Sequence, residues 1–178
     1  MKGRYTTLDL IAIIPEIQAS LTGMRVNNVY DIDNKTFILR FSKQTGQNGA
    51  KETDEDVGKL QLIIQSGVRV HLSDFSWPKR DTPSGFSMKL RKHLKNKRLE
   101  AMNQIVIDRI VDMQFGQGDF TNHLIVELFS KGNIILTDRD YNILSLVRFY
   151  KDAKTNINIA VREKYPIRNP LYISKKTP

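Results

Sequence analysis

The chain has no cysteine, so disulfide staples, thiol catalysis, thiolate zinc sites and iron–sulfur clusters are all excluded. It has only three histidines, His71, His93 and His123. None stands at HxH or HxxxH spacing, so a histidine metal site is not expected either. No apolar run approaches the ~20 residues that a membrane span requires. Leu8 to Ile14 is the nearest approach, and Asp9 interrupts it. No small-residue cleavage site follows that stretch, so no signal peptide is read. There is one tryptophan, and exposed aromatics are too few to build a stacking platform for single strands. There is no P-loop, no GxGxxG and no GxSxG, and no spacing singles out a pair of catalytic carboxylates.

What remains is a chain of 178 residues, 40% hydrophobic and 26% charged. Such a chain buries a core without covalent help. Lys and Arg total 28 against 19 Asp and Glu, a net charge of +9. A basic excess of this size suits nucleic acid first and an anionic membrane second. The excess is also local. From Lys79 to Arg109 there are nine basic residues and three acids, so six of the nine net charges lie there. A solvated helix face is the plain reading of such a run. The absence of acids at i+4 weighs against it, because the run then has nothing of its own to pair with. Phosphate backbone is the obvious counter-charge.

Thr6 to Leu21 reads as a helix, with Leu10, Ile13, Ile14, Ile17 and Leu21 on one face. Thr6 or Thr7 can cap it and Asp9 suits its dipole. Pro15 should kink it near Ile11 or start a fresh turn. Arg25–Tyr30 and Thr36–Phe41 read as a hairpin, Leu60–Gln65 and Val68–Leu72 as two more strands, and Gln44–Gly58 as a surface loop. A second helix is expected from Phe86 to about Lys97, capped by Ser84. Its outward faces would carry Lys89, Arg91, Lys92, Lys95, Lys97 and Arg98, the candidate contacts to a nucleic-acid backbone. Five further strands follow, between Leu99 and Arg148. The tail from Tyr150 is polar, with one helical turn at Ile157–Val161 and a linker at its end. The fold class is α+β: antiparallel sheets in a sandwich or barrel with two helices packed on them. His71 and His123 lie in strands and read as structural, His93 as a basic or buried helix residue, and Trp77 as a packing anchor. Asp9 in its apolar stretch and Asp108-Arg109 between two strands stand out. A salt bridge or a turn is the simpler reading of that pair.

Several segments resemble the NFACT family. They are Arg4-Tyr5-Thr6-Thr7-Leu8-Asp9-Leu10, Gly23 to Asp31, Pro83-Ser84-Gly85-Phe86, Leu90 to Lys95, Asp108-Arg109-Ile110-Val111, Gly132 to Asp138, and Arg162 to Pro166. Their order and spacing are those of the family's N-terminal domain, here residues 1–165, with 166–178 a linker toward further domains. The resemblance implies a fold similar to the N-terminal domain of formamidopyrimidine-DNA glycosylases. It implies a cytoplasmic factor of ribosome quality control that binds large ribosomal subunits carrying a stalled peptidyl-tRNA and supports the listerin ubiquitin ligase. It also implies recruitment of charged alanine and threonine tRNA for template-free C-terminal tailing (CAT tails). Asp9, Asp108 and Arg109 stand where the family has the residues needed for tailing. No cofactor, no metal, no membrane and no enzymatic activity are expected. The glycosylases use an N-terminal proline amine, and Lys2 and Gly3 occupy that region here. A passive ribosome-docking module is the remaining alternative. It would need the basic helix but neither Asp9 nor Asp108.

Overall fold

A computed structural model describes residues 3–43, 59–105 and 109–167. Helix α1 (Thr7–Leu21) opens the chain. Its start is fixed by a reciprocal capping box. The Asp9 amide donates to Thr6 Oγ1 at 3.2 Å, and Asp9 Oδ2 accepts from the Thr6 amide at 2.7 Å. Such a cap is worth about 1 kcal/mol. Leu10, Ile14, Ile17 and Leu21 form the buried stripe. Pro15 starts no fresh turn, and the helix runs through it. Pro15 lies on the exposed side, where water can solvate the carbonyl that loses its donor.

Strands β1 (Arg25–Asp31), β2 (Thr36–Ser42), β3 (Lys59–Gln65) and β4 (Arg69–Ser73) form an antiparallel meander. The expected loop over Gln44–Gly58 lies outside the described residues. Alternation places Val29, Phe37, Leu39, Leu62, Ile64 and Val70 on the inner face. Helix α2 (Gly85–Leu94) follows, and Ser84 Oγ accepts from the Ser87 amide at 3.1 Å as its cap. The helix is shorter than its sequence predicts. Asn96 takes a left-handed conformation, φ 67°, and its amide donates to Val26 O. The segment carrying Lys95, Lys97 and Arg98 thereby leaves the helix and joins the edge of β1.

The second meander comprises β5 (Leu99–Gln104), β6 (Ile110–Phe115), β7 (Asn122–Glu127), β8 (Asn133–Thr137) and β9 (Ile143–Leu146). Its inner face meets the first sheet and both helices in one core, where the Phe41 and Phe115 rings stack at 6.4 Å. A small hairpin, β10 (Tyr150–Asp152) and β11 (Ile157–Ile159), supplies Ile157, Ile159 and Tyr150 to a second apolar cluster on the opposite face of β6–β9. Here too the structure corrects the sequence reading, since within Ile157–Val161 the residues Ile157–Ile159 make a strand and no helical turn forms. Ile157-Asn158-Ile159 has the period of two that a half-buried strand needs.

The sheets touch at two corners. At one, residues 23–26 exchange backbone hydrogen bonds with residues 96–99. At the other, the β3–β4 turn crosses the β7–β8 turn, and the Gly67 amide donates to Glu127 O at 3.1 Å. A Cβ on Gly132 would sit 2.0 Å from the Gly67 nitrogen, and Gly132 has φ +71°. Gly132→Ala should therefore cost about 3 kcal/mol or more. Gly23→Ala, at φ +88° in open space, should cost only about 1 kcal/mol. Urea unfolding of the two variants checks the difference, and equal losses would mean that the crossing is loose.

Candidate nucleic-acid interface

The corner at Gly67 and Gly132 organises the first candidate site. Tyr5, just ahead of the α1 cap, donates its amide to Val68 O at 2.8 Å. Gly67, one residue back, is held on Glu127 O. The amide of Leu128 in turn donates to Arg109 O at 2.8 Å. A short backbone relay thus leads from the first turn of α1 to Arg109. Asp9 and Arg109 are both half-buried. Asp108 lies outside the described residues. The Asp9 carboxylate also accepts from the Thr6 hydroxyl at 2.9 Å, so the amide and the hydroxyl of Thr6 both hold its Oδ2. Burial raises the Tyr5 phenol above its ordinary value. The Arg69 guanidinium opposes that shift, while the Asp9 and Glu16 carboxylates add to it. Asp9, Tyr5, Glu16 and Arg69 therefore share one electrostatic neighbourhood.

Two residues that the sequence reading passed over brace this corner. Glu127 is 1% exposed and accepts from the Tyr165 hydroxyl at 2.7 Å. A buried carboxylate beside a glycine crossing is a hydrogen-bonded brace. Its sequence signal was an acid in the otherwise apolar run from Leu124 to Phe129.

The basic run divides into residues that face water and residues that serve the fold. Lys89, Lys92, Lys95 and Arg98 are exposed. Arg91 is half-buried and gives its Nε to Val29 O at 2.8 Å. The Lys97 ammonium donates to Phe120 O at 2.6 Å and to Asn122 Oδ1, and burial lowers its pKa. Arg91 and Lys92 in the last turn of α2 also complement the negative end of its dipole. His123 is structural, as expected. Its Nδ1 meets Asp112 Oδ1 at 2.8 Å, its ring stacks on Tyr141 at 4.2 Å, and the Tyr141 hydroxyl donates to Asp112 Oδ2 at 2.6 Å. Trp77 anchors a loop through Nε1 to Ser73 Oγ at 2.9 Å. Among the described residues no group of three or more His, Asp or Glu side chains is disposed to hold a metal ion. No described helix is long and apolar enough to cross a membrane.

The family profile described as NFACT N-terminal and middle domains matches residues 6–171. The chain belongs to the NFACT family. It is 48% identical to the human "Ribosome quality control complex subunit NEMF" over 167 residues, which are 94% of this chain and 14% of that protein. It is 41% identical to the Saccharomyces cerevisiae "Ribosome quality control complex subunit 2" over 159 residues, 88% of this chain and 14% of that one. The chain thus spans about a seventh of these NFACT relatives. Among solved structures it is similar to the N-terminal domain of the fibronectin-binding protein PavA of Streptococcus pneumoniae. The TM-score is 0.74 at 20% identity, covering 90% of this chain and 63% of that one. The N-terminal part of the Streptococcus suis fibronectin/fibrinogen-binding protein gives a TM-score of 0.75 at 21% identity, covering 90% and 60%. At such identities the likeness concerns the NFACT fold alone.

His93 reports on the basic face. Its pKa is lowered by burial first, then by the Lys92, Lys97 and Lys89 ammonium groups. The folded state therefore disfavours its protonation. The resulting loss of stability is absent above the unfolded value, about 6.5, and appears as pH falls through the folded pKa. His93→Gln should gain stability relative to wild type toward acid and show no gain at about pH 8. In an NMR titration, a polyanion seated on this face should move the His93 pKa upward. A His93 resonance that ignores added RNA would place the bound anion elsewhere.

Proposed function

We propose that this chain is the RNA-binding N-terminal domain of a cytoplasmic ribosome quality-control factor. In this reading the factor binds large ribosomal subunits with a stalled peptidyl-tRNA, supports the listerin ubiquitin ligase, and admits charged alanine and threonine tRNA for CAT tailing. The observation that supports the reading is the backbone relay through Gly67, which links the lead-in of α1 to the backbone of Arg109. Kinship with quality-control subunits supports it, as does the acid-poor basic run. Arg109 offers a guanidinium fork to a phosphate or a guanine edge, and an Asp accepts from base amino groups. Exposed Lys89, Lys92, Lys95 and Arg98 hold backbone phosphates without reading sequence. The domain is not itself an enzyme: it selects and positions, and the ribosome's own centre forms the peptide bond.

The test compares subunit binding and tail formation on the same stalled complexes. It uses the full-length protein as wild type, Asp9→Ala, and Asp108→Ala with Arg109→Ala. Tailing should fall at least tenfold, roughly the effect of losing one charge-assisted contact, while subunit binding persists. Thr6→Ala separates structure from recognition, because it breaks the same cap and keeps the carboxylate. Tailing that survives the substitutions at Asp9, Asp108 and Arg109 would leave a passive docking module. Equal loss in Thr6→Ala and Asp9→Ala would reduce Asp9 to a cap.

A further inference from the structure

Two of the segments that resemble the family, Gly23 to Asp31 and Pro83 to Phe86, meet at a place the RNA reading above does not use. Asp31 ends β1 and Ser84 caps α2. The Ser84 amide donates to Asp31 Oδ1 at 3.1 Å. The other carboxylate oxygen, Asp31 Oδ2, is buried and has no hydrogen-bond partner. The residue as a whole is 2% exposed. A buried acceptor left open is uncommon in folded proteins and costs stability.

Asp31 lines a cavity of about 180 Å³. The β1–β2 hairpin, the loop after β4, the start of α2 and the end of β9 enclose it. At its buried end stand Asp31 and Phe37, which are cross-strand partners and share the inner side of the sheet. Phe86 meets Phe37 edge-on at 5.2 Å, and with Leu146 and Val147 it makes the walls apolar. Arg80 is exposed and marks the outer end. Its amide donates to Asp31 O at 2.9 Å, and its guanidinium donates to Asn34 Oδ1 at 2.8 Å. A guanidinium has five N–H donors, and this bond uses one. The cavity thus has an open acceptor at depth, apolar and aromatic walls, and a cation at its mouth.

Those three features select a ligand. The open acceptor calls for an N–H donor. An ammonium is a poor match, because it would lose its hydration against apolar walls and meet Arg80 on entry. A neutral amino group on a flat ring meets all three conditions. The volume is below the about 300 Å³ at which drug-sized pockets begin. It suits one ring, and leaves sugar and phosphate outside, where Arg80 stands. Unstacked RNA bases are held in this manner, with the ring on aromatic side chains and its edge on polar groups.

We infer that Asp31, Phe37, Phe86 and Arg80 form a pocket for one unstacked nucleobase that carries an exocyclic amino group. Asp31 Oδ2 accepts from the amino group, and Arg80 holds the neighbouring phosphate. The inference rests on the RNA-binding reading above and adds base selection to it. The pocket lies at the same end of the first sheet as the Gly67 turn, since the Ser66 amide donates to Lys35 O at 2.8 Å. One RNA strand reaching the Gly67 corner is therefore within range of it.

The test measures binding of fluorescein-labelled oligocytidylate and oligouridylate of equal length by anisotropy. The chain is used as wild type, Asp31→Asn and Val147→Phe. The two oligonucleotides share charge and ring size, and differ in the amino or carbonyl group at C4. The uracil carbonyl would face Asp31 Oδ2, acceptor against acceptor. Wild type should bind oligocytidylate at least about tenfold more tightly, the effect of one good base contact. Asp31→Asn keeps an oxygen for the Ser84 amide and puts a donor in place of Oδ2, so the preference should vanish or reverse. Val147→Phe fills the cavity and leaves the acid in place, and it should abolish the preference while oligouridylate binding persists. Equal binding of the two by wild type overturns the inference and leaves the RNA reading standing, as does a preference that survives both variants. If wild type binds neither, both readings fail. A second measurement needs no variant. In NMR, cytidine monophosphate should shift the Ser84 amide resonance and uridine monophosphate should not. A Ser84 amide silent to both leaves the cavity to water and overturns the inference. A Ser84 amide that answers lysine amide and ignores cytidine monophosphate would assign the pocket to an ammonium and overturn it as well.

Discussion

Two glycine turns that cross within van der Waals contact fix the rest of the molecule. At Gly67 and Gly132 the backbones come closer than any side chain permits. That contact lets the Gly67 amide reach Glu127 O. It also sets the height of Val68, on which the lead-in to α1 hangs, and the position of Leu128, on which Arg109 hangs. The corner is therefore both the joint between the sheets and the mount of the candidate site. Glu127 with Tyr165 braces it from beneath with a buried, satisfied hydrogen bond.

Positive charge on this protein has three distinct structural duties. Lys97 is part of the framework and ties the start of β5 to the Phe120–Asn122 segment. Lys89, Lys92 and Lys95 stand in water on and just after α2, and the helix dipole favours Lys92 in its last turn. Arg40, Lys79 and Arg91 collect around Tyr30. A net charge of +9 says nothing of this division, since it counts the framework lysine with the rest.

Local rules made much of the fold readable. Thr6 or Thr7 and Ser84 marked both helix starts, because capping is settled within four residues. Runs of β-rich residues between turn signals marked nine strands, because strand and turn each draw on distinct residue types. The end of α2 was not readable, because it is decided by β1, some seventy residues upstream, which captures the Asn96 amide. The β10–β11 hairpin hid inside a polar tail, because three-residue strands give too short a pattern. Asp9 stood out as an acid in an apolar stretch. It was read as suiting the helix dipole; its place in the capping box, and the backbone relay that runs from the lead-in of α1 through the glycine crossing to Arg109, are encoded by no periodicity. The Tyr30 cluster was hidden because Arg40, Lys79 and Arg91 come from β2, the loop after β4 and α2, which meet only in the fold.

The second apolar cluster gives the sandwich an unequal interior. Every residue of β7 and β8 is buried, since α1 and the first sheet cover one side and the β10–β11 hairpin covers the other. Amides in these two strands open to solvent only when the whole domain unfolds, and they set the slowest tier of hydrogen exchange. The hairpin lid is held by three residue pairs and belongs to the fastest tier. Its local opening bares Ile143, Ile157 and Ile159 while the sheet beneath stays folded, so the first excursion from the native state is a sticky one.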